Sequence, residues 1–66
     1  MTYKILRLPE VKKLIGLSRS SIYLRISKGE FPKPISLGSR AVGWLEEDIV
    51  RWLEEKIQFS RAHDHG

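Results

Sequence analysis

The sequence predicts a mainly α fold, three helices with a small β-hairpin, and three observations carry that prediction. Apolar residues recur at helical spacing in three stretches, Val11-Leu14-Ile15, Ile22-Ile26 and Ile49-Trp52-Leu53-Ile57. The first two stretches are separated by little more than Gly16-Leu17-Ser18, a stop followed directly by a start. Between the second and third, two short β-prone runs flank Gly38-Ser39-Arg40, the arrangement of a hairpin and its turn.

Each element has a local reason. Tyr3-Lys4-Ile5-Leu6-Arg7 is β-prone and reads as an edge strand or an extended arm. A helix can start at Leu8-Pro9-Glu10, because proline in the first turn forfeits no needed hydrogen bond and Glu10 suits the positive helix end. Val11, Leu14 and Ile15 then form an apolar stripe, with Lys12 and Lys13 outward, and Gly16 is a natural stop because it tolerates a positive φ. Ser18 caps the next helix, expected from about Arg19 to Lys28, with Ile22 above Ile26 on its core side and Gly29 as its stop. Phe31-Pro32-Lys33-Pro34 cannot continue a helix and is expected to be extended. Ile35-Ser36-Leu37 and Ala41-Val42-Gly43-Trp44 are the two strands of the hairpin. The third helix begins near Glu46-Glu47-Asp48, which complement its dipole although no good N-cap precedes them, and it carries Lys56 near its end. Residues 58–66 hold little apolar content beyond Phe59 and are expected to form a flexible tail after a domain spanning residues 1–57. Phe31, Trp44, Trp52 and Leu53 are assigned to the core rather than to base stacking.

Composition narrows the function. A chain of 66 residues is a single domain and too short for most enzymes. It has no cysteine, which excludes disulfides, thiolate zinc sites and a cysteine nucleophile, and which fits a reducing cytoplasm. No apolar run approaches the about 18 residues of a spanning helix, and no signal-peptide core opens the chain, so neither membrane insertion nor export is expected. His63 and His65 beside Asp64 make only a weak metal-binding pattern in a polar tail. No phosphate-binding glycine loop is present, and the carboxylates Glu46, Glu47, Asp48, Glu54 and Glu55 ring a helix rather than a cleft. Neither catalysis nor a cofactor is expected. The net charge of +4 hides an asymmetry. Residues 1–45 hold nine basic side chains against Glu10 and Glu30, a net of +7. Residues 46–66 hold three basic side chains against six acidic ones, a net of −3. A basic body with an acidic end suits a polyanion on one surface only.

Arm, helix, tight turn, helix, basic hairpin, helix is the layout of a winged helix-turn-helix. Arg7-Leu8-Pro9-Glu10-Val11, Gly16-Leu17-Ser18-Arg19-Ser20-Ser21-Ile22-Tyr23, Gly29-Glu30-Phe31-Pro32-Lys33-Pro34 and Leu37-Gly38-Ser39-Arg40-Ala41-Val42-Gly43-Trp44 together resemble the AlpA-type prophage regulators, as does the Trp52-Leu53 pair. The resemblance covers about residues 5–55. It implies a MerR-like or excisionase-like winged helix that binds double-stranded DNA to control transcription or site-specific recombination of a mobile element. One departure is Leu24, where members of the family often carry a basic residue.

Taking Ile22 and Ile26 as the core side of the second helix turns Ser20, Leu24 and Ser27 away from it, with Arg19 and Tyr23 along one flank. Recognition helices read bases mainly from their N-terminal half, so Arg19 is the first candidate for a base or phosphate contact, followed by Ser20 and Tyr23. Tyr23 is equally readable as packing against the hairpin, and Leu24 as a contact to a thymine methyl or to a partner chain. Ser18 and Ser21 can donate to phosphates beside the free amides of the helix start. Arg25 and Lys28 are candidate backbone contacts, and Ser39 and Arg40 at the hairpin tip can reach a neighbouring minor groove or phosphate.

Three roles fit this reading. A transcriptional regulator would contact one operator and RNA polymerase or a dimer partner. A recombination directionality factor would bind adjacent sites, bend the DNA and work beside an integrase. From a different class, a protein-interaction adaptor would use the acidic third helix and Leu24. So few candidate base contacts favour a second copy, as a dimer or as a head-to-tail array on DNA.

Overall fold

The chain enters the fold extended and is at once tied to its own distant sequence. In the structure, a computed structural model that describes residues 2–62, strand β1 (Ile5–Leu6) pairs antiparallel with β3 (Ala41–Leu45), Ile5 opposite Leu45 and Leu6 opposite Trp44. Helix α1 (Leu8–Ile15) follows, with Pro9 in its first turn and the Glu10 carboxylate accepting from the Arg7 N–H at 3.0 Å. It stops where expected: Gly16 takes φ 72° and its N–H donates to the Lys12 carbonyl at 2.8 Å. Helix α2 (Arg19–Ser27) starts one turn-residue later under the Ser18 cap, whose Oγ accepts from the Ser21 N–H at 3.2 Å. Its end is a Schellman motif, in which the Gly29 N–H reaches the Ile26 carbonyl at 3.0 Å and the Glu30 N–H reaches the Arg25 carbonyl at 2.8 Å.

The hairpin is formed by β2 (Ile35–Gly38) and β3, giving a three-stranded antiparallel sheet in the order β1-β3-β2. The turn differs in detail from expectation. Gly38 closes β2 at φ 143°, the register shifts between Ser36 and Gly38, and the left-handed residue of the turn is Arg40 at φ 70°. Such a bulged hairpin requires a positive φ next to the turn, and here an arginine supplies one. In the middle strand, Gly43 is buried because its neighbours close over it. A Cβ there would lie 2.6 Å from Ile5 Cγ2, 3.1 Å from the Leu6 carbonyl and 3.2 Å from Leu37 Cδ1.

Helix α3 (Glu46–Ala62) grows directly out of β3. Its start needs no side-chain cap, because the Glu46 N–H donates to the Lys4 carbonyl at 2.9 Å while Lys4 Nζ lies 3.6 Å from the Glu46 carboxylate. Its end corrects the sequence expectation: residues 58–62 are helical, not a tail. That segment, Gln58-Phe59-Ser60-Arg61-Ala62, lacks glycine and proline and places Arg61 in the last turn, so propensity and dipole carry the helix past its apolar stripe. His63, Asp64 and His65, the weak metal pattern, lie outside the described residues.

One core joins the layers. Leu6, Val11, Ile22, Phe31, Trp44 and Ile49 are buried, with Ile26, Trp52 and Leu53 packed at its margin, and no polar or charged side chain is buried among the described residues. The Phe31 ring stands edge-on to both indoles, 4.8 Å from Trp52 and 6.5 Å from Trp44 between centroids. Both indole N–H groups donate to the crossing segment between α2 and β2: Trp44 to the Pro32 carbonyl and Trp52 to the Glu30 carbonyl, each at 2.9 Å. The assignment of all four large residues to packing holds. The molecule is a winged helix-turn-helix, three helices with β2–β3 as the wing.

Candidate nucleic-acid interface

Burying Ile22 fixes which side of α2 meets solvent. Arg19, Ser20, Tyr23, Leu24, Ser27 and Lys28 are exposed, and Ser21 and Arg25 are half-buried. The sequence reading thus places the outward face correctly. Tyr23 is held by its own helix: the Arg19 guanidinium carbon lies 5.6 Å from the Tyr23 ring centroid, a cation–π contact one turn apart. The i, i+4 spacing was the available signal for this contact, which the sequence reading did not use. Leu24 projects outward at 55% exposure.

The serines differ in whether the hydroxyl proton is already used. The Ser18 hydroxyl caps Ser21 and donates its own proton to Ser21 Oγ at 3.2 Å. The Ser21 hydroxyl proton therefore has no acceptor among the described residues and is free to donate to an anion. Ser27 is different: its Oγ donates to the Leu24 carbonyl at 2.6 Å, which spends the proton a phosphate would need. Ser20 and Ser39 make no side-chain hydrogen bond among the described residues.

The cations share one property. Arg19, Arg25, Lys28 and Arg40 form no ion pair among the described residues. Arg25 and Lys28 border a shallow hollow of about 180 Å³ with Ser21, Leu24 and Glu30. Arg40 is exposed at the wing tip beside Ser39, on a left-handed backbone. The two ion pairs of the described residues, Lys4–Glu46 and Arg51–Asp48, both involve α3, each at 3.6 Å. No acidic residue occurs in α2 or in β2–β3 and its turn, and the carboxylate beside Arg25 and Lys28 is that of Glu30, which forms no ion pair with either. Among the described residues no group of three His, Cys, Asp or Glu side chains is placed to hold a metal, and no helix is long and apolar enough to cross a membrane.

Comparison with known proteins adds three findings. The family model described as prophage CP4-57 regulatory protein (AlpA) matches residues 4–57. Uncharacterized protein ORF88 of Enterobacteria phage P4 is 50% identical over 54 residues, which cover 82% of this chain and 61% of that protein. The chain thus spans about three-fifths of the length of that relative. The DNA-binding transcriptional activator AlpA of Escherichia coli (strain K12) is 37% identical across 83% of this chain and 87% of that protein.

Proposed function

This chain belongs to the family of prophage CP4-57 regulatory proteins (AlpA), and from that membership we propose that it is a sequence-specific duplex-DNA binder regulating transcription for a prophage or mobile element. Helix α2 enters the major groove and the β2–β3 wing lies on the adjacent backbone or minor groove. The observation that carries this reading is the set of four cations without an ion pair among the described residues, Arg19 and Arg25 on α2, Lys28 at its C-cap and Arg40 on the wing. Arg19, at the N-terminal end of α2 and stacked on Tyr23, is the base-reading residue. Ser20, Ser21, Arg25, Lys28, Ser39 and Arg40 position the backbone around it, with Ser18 and Ser27 the weakest of the set because their hydroxyl protons are already used.

Selection from a randomised duplex pool supplies the site, and mobility shifts on that site test the reading. With Arg19 on a base, the three remaining cations, Arg25, Lys28 and Arg40, predict that log K falls with log salt at a slope of about −2.7. A slope of about −3.6 would put Arg19 on a phosphate as well. Affinity indifferent to salt would contradict the proposal. Arg19→Ala is expected to cost about 1–3 kcal/mol on the selected site and to relax preference at one position. A uniform loss across all sequences would make Arg19 a phosphate contact instead.

A further inference from the structure

We propose that the outer stripe of α3 is a two-fold dimer interface that takes the α3 of a second copy of this chain, running antiparallel. Every residue from 54 to 62 is exposed, although all nine are helical. This end of α3 continues a helix already formed and leaves its outer side open to a partner. The stripe is apolar in its middle: Val50 and Ile57 are 42% and 46% exposed and seven residues apart, so they stand about 20° from alignment along the helix. Leu53, half-buried, lies between them, giving the three-then-four spacing by which two helices interlock.

The charges choose the partner and the direction. The stripe begins at Glu46 and Glu47 and ends at Arg61. Glu47 and Arg61 have no ion pair among the described residues. Laid antiparallel on a second copy, the ends of the stripe match each other, while Glu54 and its equivalent flank the axis. Val50 falls opposite the partner's Ile57, Leu53 meets its equivalent beside the two-fold axis, and Arg61 at each end reaches the partner's Glu46 and Glu47. A parallel pair would set Arg61 against Arg61 and Glu47 against Glu47. Antiparallel pairing also opposes the helix dipoles favourably. A shallow hollow of about 310 Å³ beside Val50 is lined by Glu46, Glu47, Arg51 and Glu54. Three apolar residues per helix bury less than the about 1,200 Å² of a standard stable interface, so the pair forms at micromolar or higher concentration. On the DNA reading proposed above, such a pair relates two recognition helices by a two-fold axis and reads an inverted repeat.

Disulfide trapping tests the pairing without DNA, so its failure leaves the DNA-binding proposal standing. The chain has no cysteine, and each introduced thiol is unique. Chains carrying Val50→Cys and Ile57→Cys, each checked for a native far-UV spectrum, are mixed and oxidised with oxidised glutathione. The expected product is the mixed 50–57 disulfide, at about a ten-fold excess over either same-residue product, because only Cα atoms within about 7 Å close readily. Adding Arg61→Glu to both chains is expected to remove the excess, and adding Glu47→Arg as well to restore it. Same-residue disulfides in excess would mean parallel pairing. A yield no higher than that of a Lys13→Cys control on α1 would mean a monomer. Either result overturns the proposal, as does a loss that the reversed pair fails to restore.

Discussion

Trp44→Ala is expected to leave the chain unfolded at 25 °C, with no cooperative transition in a thermal melt followed by far-UV circular dichroism. The residue is fully buried at the point where β1, β3 and the segment crossing from α2 to β2 converge. Removing a large buried aromatic side chain costs about 3–5 kcal/mol. A core of this size rarely supplies more than about 3–5 kcal/mol in all. The same substitution strips one of the two edge-on partners from Phe31 and leaves the Pro32 carbonyl without its donor. Trp44→Phe is the milder change: it keeps a buried aromatic ring, loses the N–H with the pyrrole part of the indole, and should lower Tm by about 4–8 °C per kcal/mol lost. A cooperative melt of Trp44→Ala close to that of the parent would show that the indole is not central to the fold.

Gly43→Ala is the second large effect, and its sign is diagnostic. At an unstrained position this change stabilises by about 0.4–1 kcal/mol through the unfolded chain. Here it is expected to destabilise by about 1–3 kcal/mol, because the new methyl would meet Ile5 Cγ2 at 2.6 Å and the Leu6 carbonyl at 3.1 Å. Neither neighbour yields easily, since Ile5 is β-branched and stiff and the carbonyl is backbone. Strand β1 must therefore lift from β3, which also withdraws the Lys4 carbonyl from the first amide of α3. Ile5→Ala in the same chain removes the closest contact and should recover part of the loss, read as a coupling in a double-mutant cycle of denaturant melts. Additive losses would place the strain elsewhere.

What was legible in the sequence follows from how local each signal is. The end of α1 and both ends of α2 were readable because Gly16, Ser18 and Gly29 act within a few residues of the groups they satisfy. The core was readable from periodicity, since Val11, Ile22, Ile49 and Trp44 announce their buried faces by spacing. The outward face of α2, and with it Arg19, Ser20 and Leu24, followed from the same rule. Longer-range facts were not legible. The Lys4 carbonyl that starts α3 lies 42 positions away in sequence, and no local pattern encodes it. The indole donors of Trp44 and Trp52 find backbone carbonyls, and these carry no residue signature. The helical run of 58–62 was missed because periodicity reports burial, and an exposed stretch can still be helical.

The wing tip sets one residue two opposed tasks. Arg40 holds φ 70°, a backbone that costs an ordinary L-residue about 1–2 kcal/mol and glycine nothing comparable. The arginine that gives the hairpin its positive tip is therefore also the residue that raises the energy of its turn. Stability and charge pull in opposite directions at this position. A glycine would relax the turn and leave the tip electrically blank, so the hairpin can be at its tightest or at its most positive, but not both.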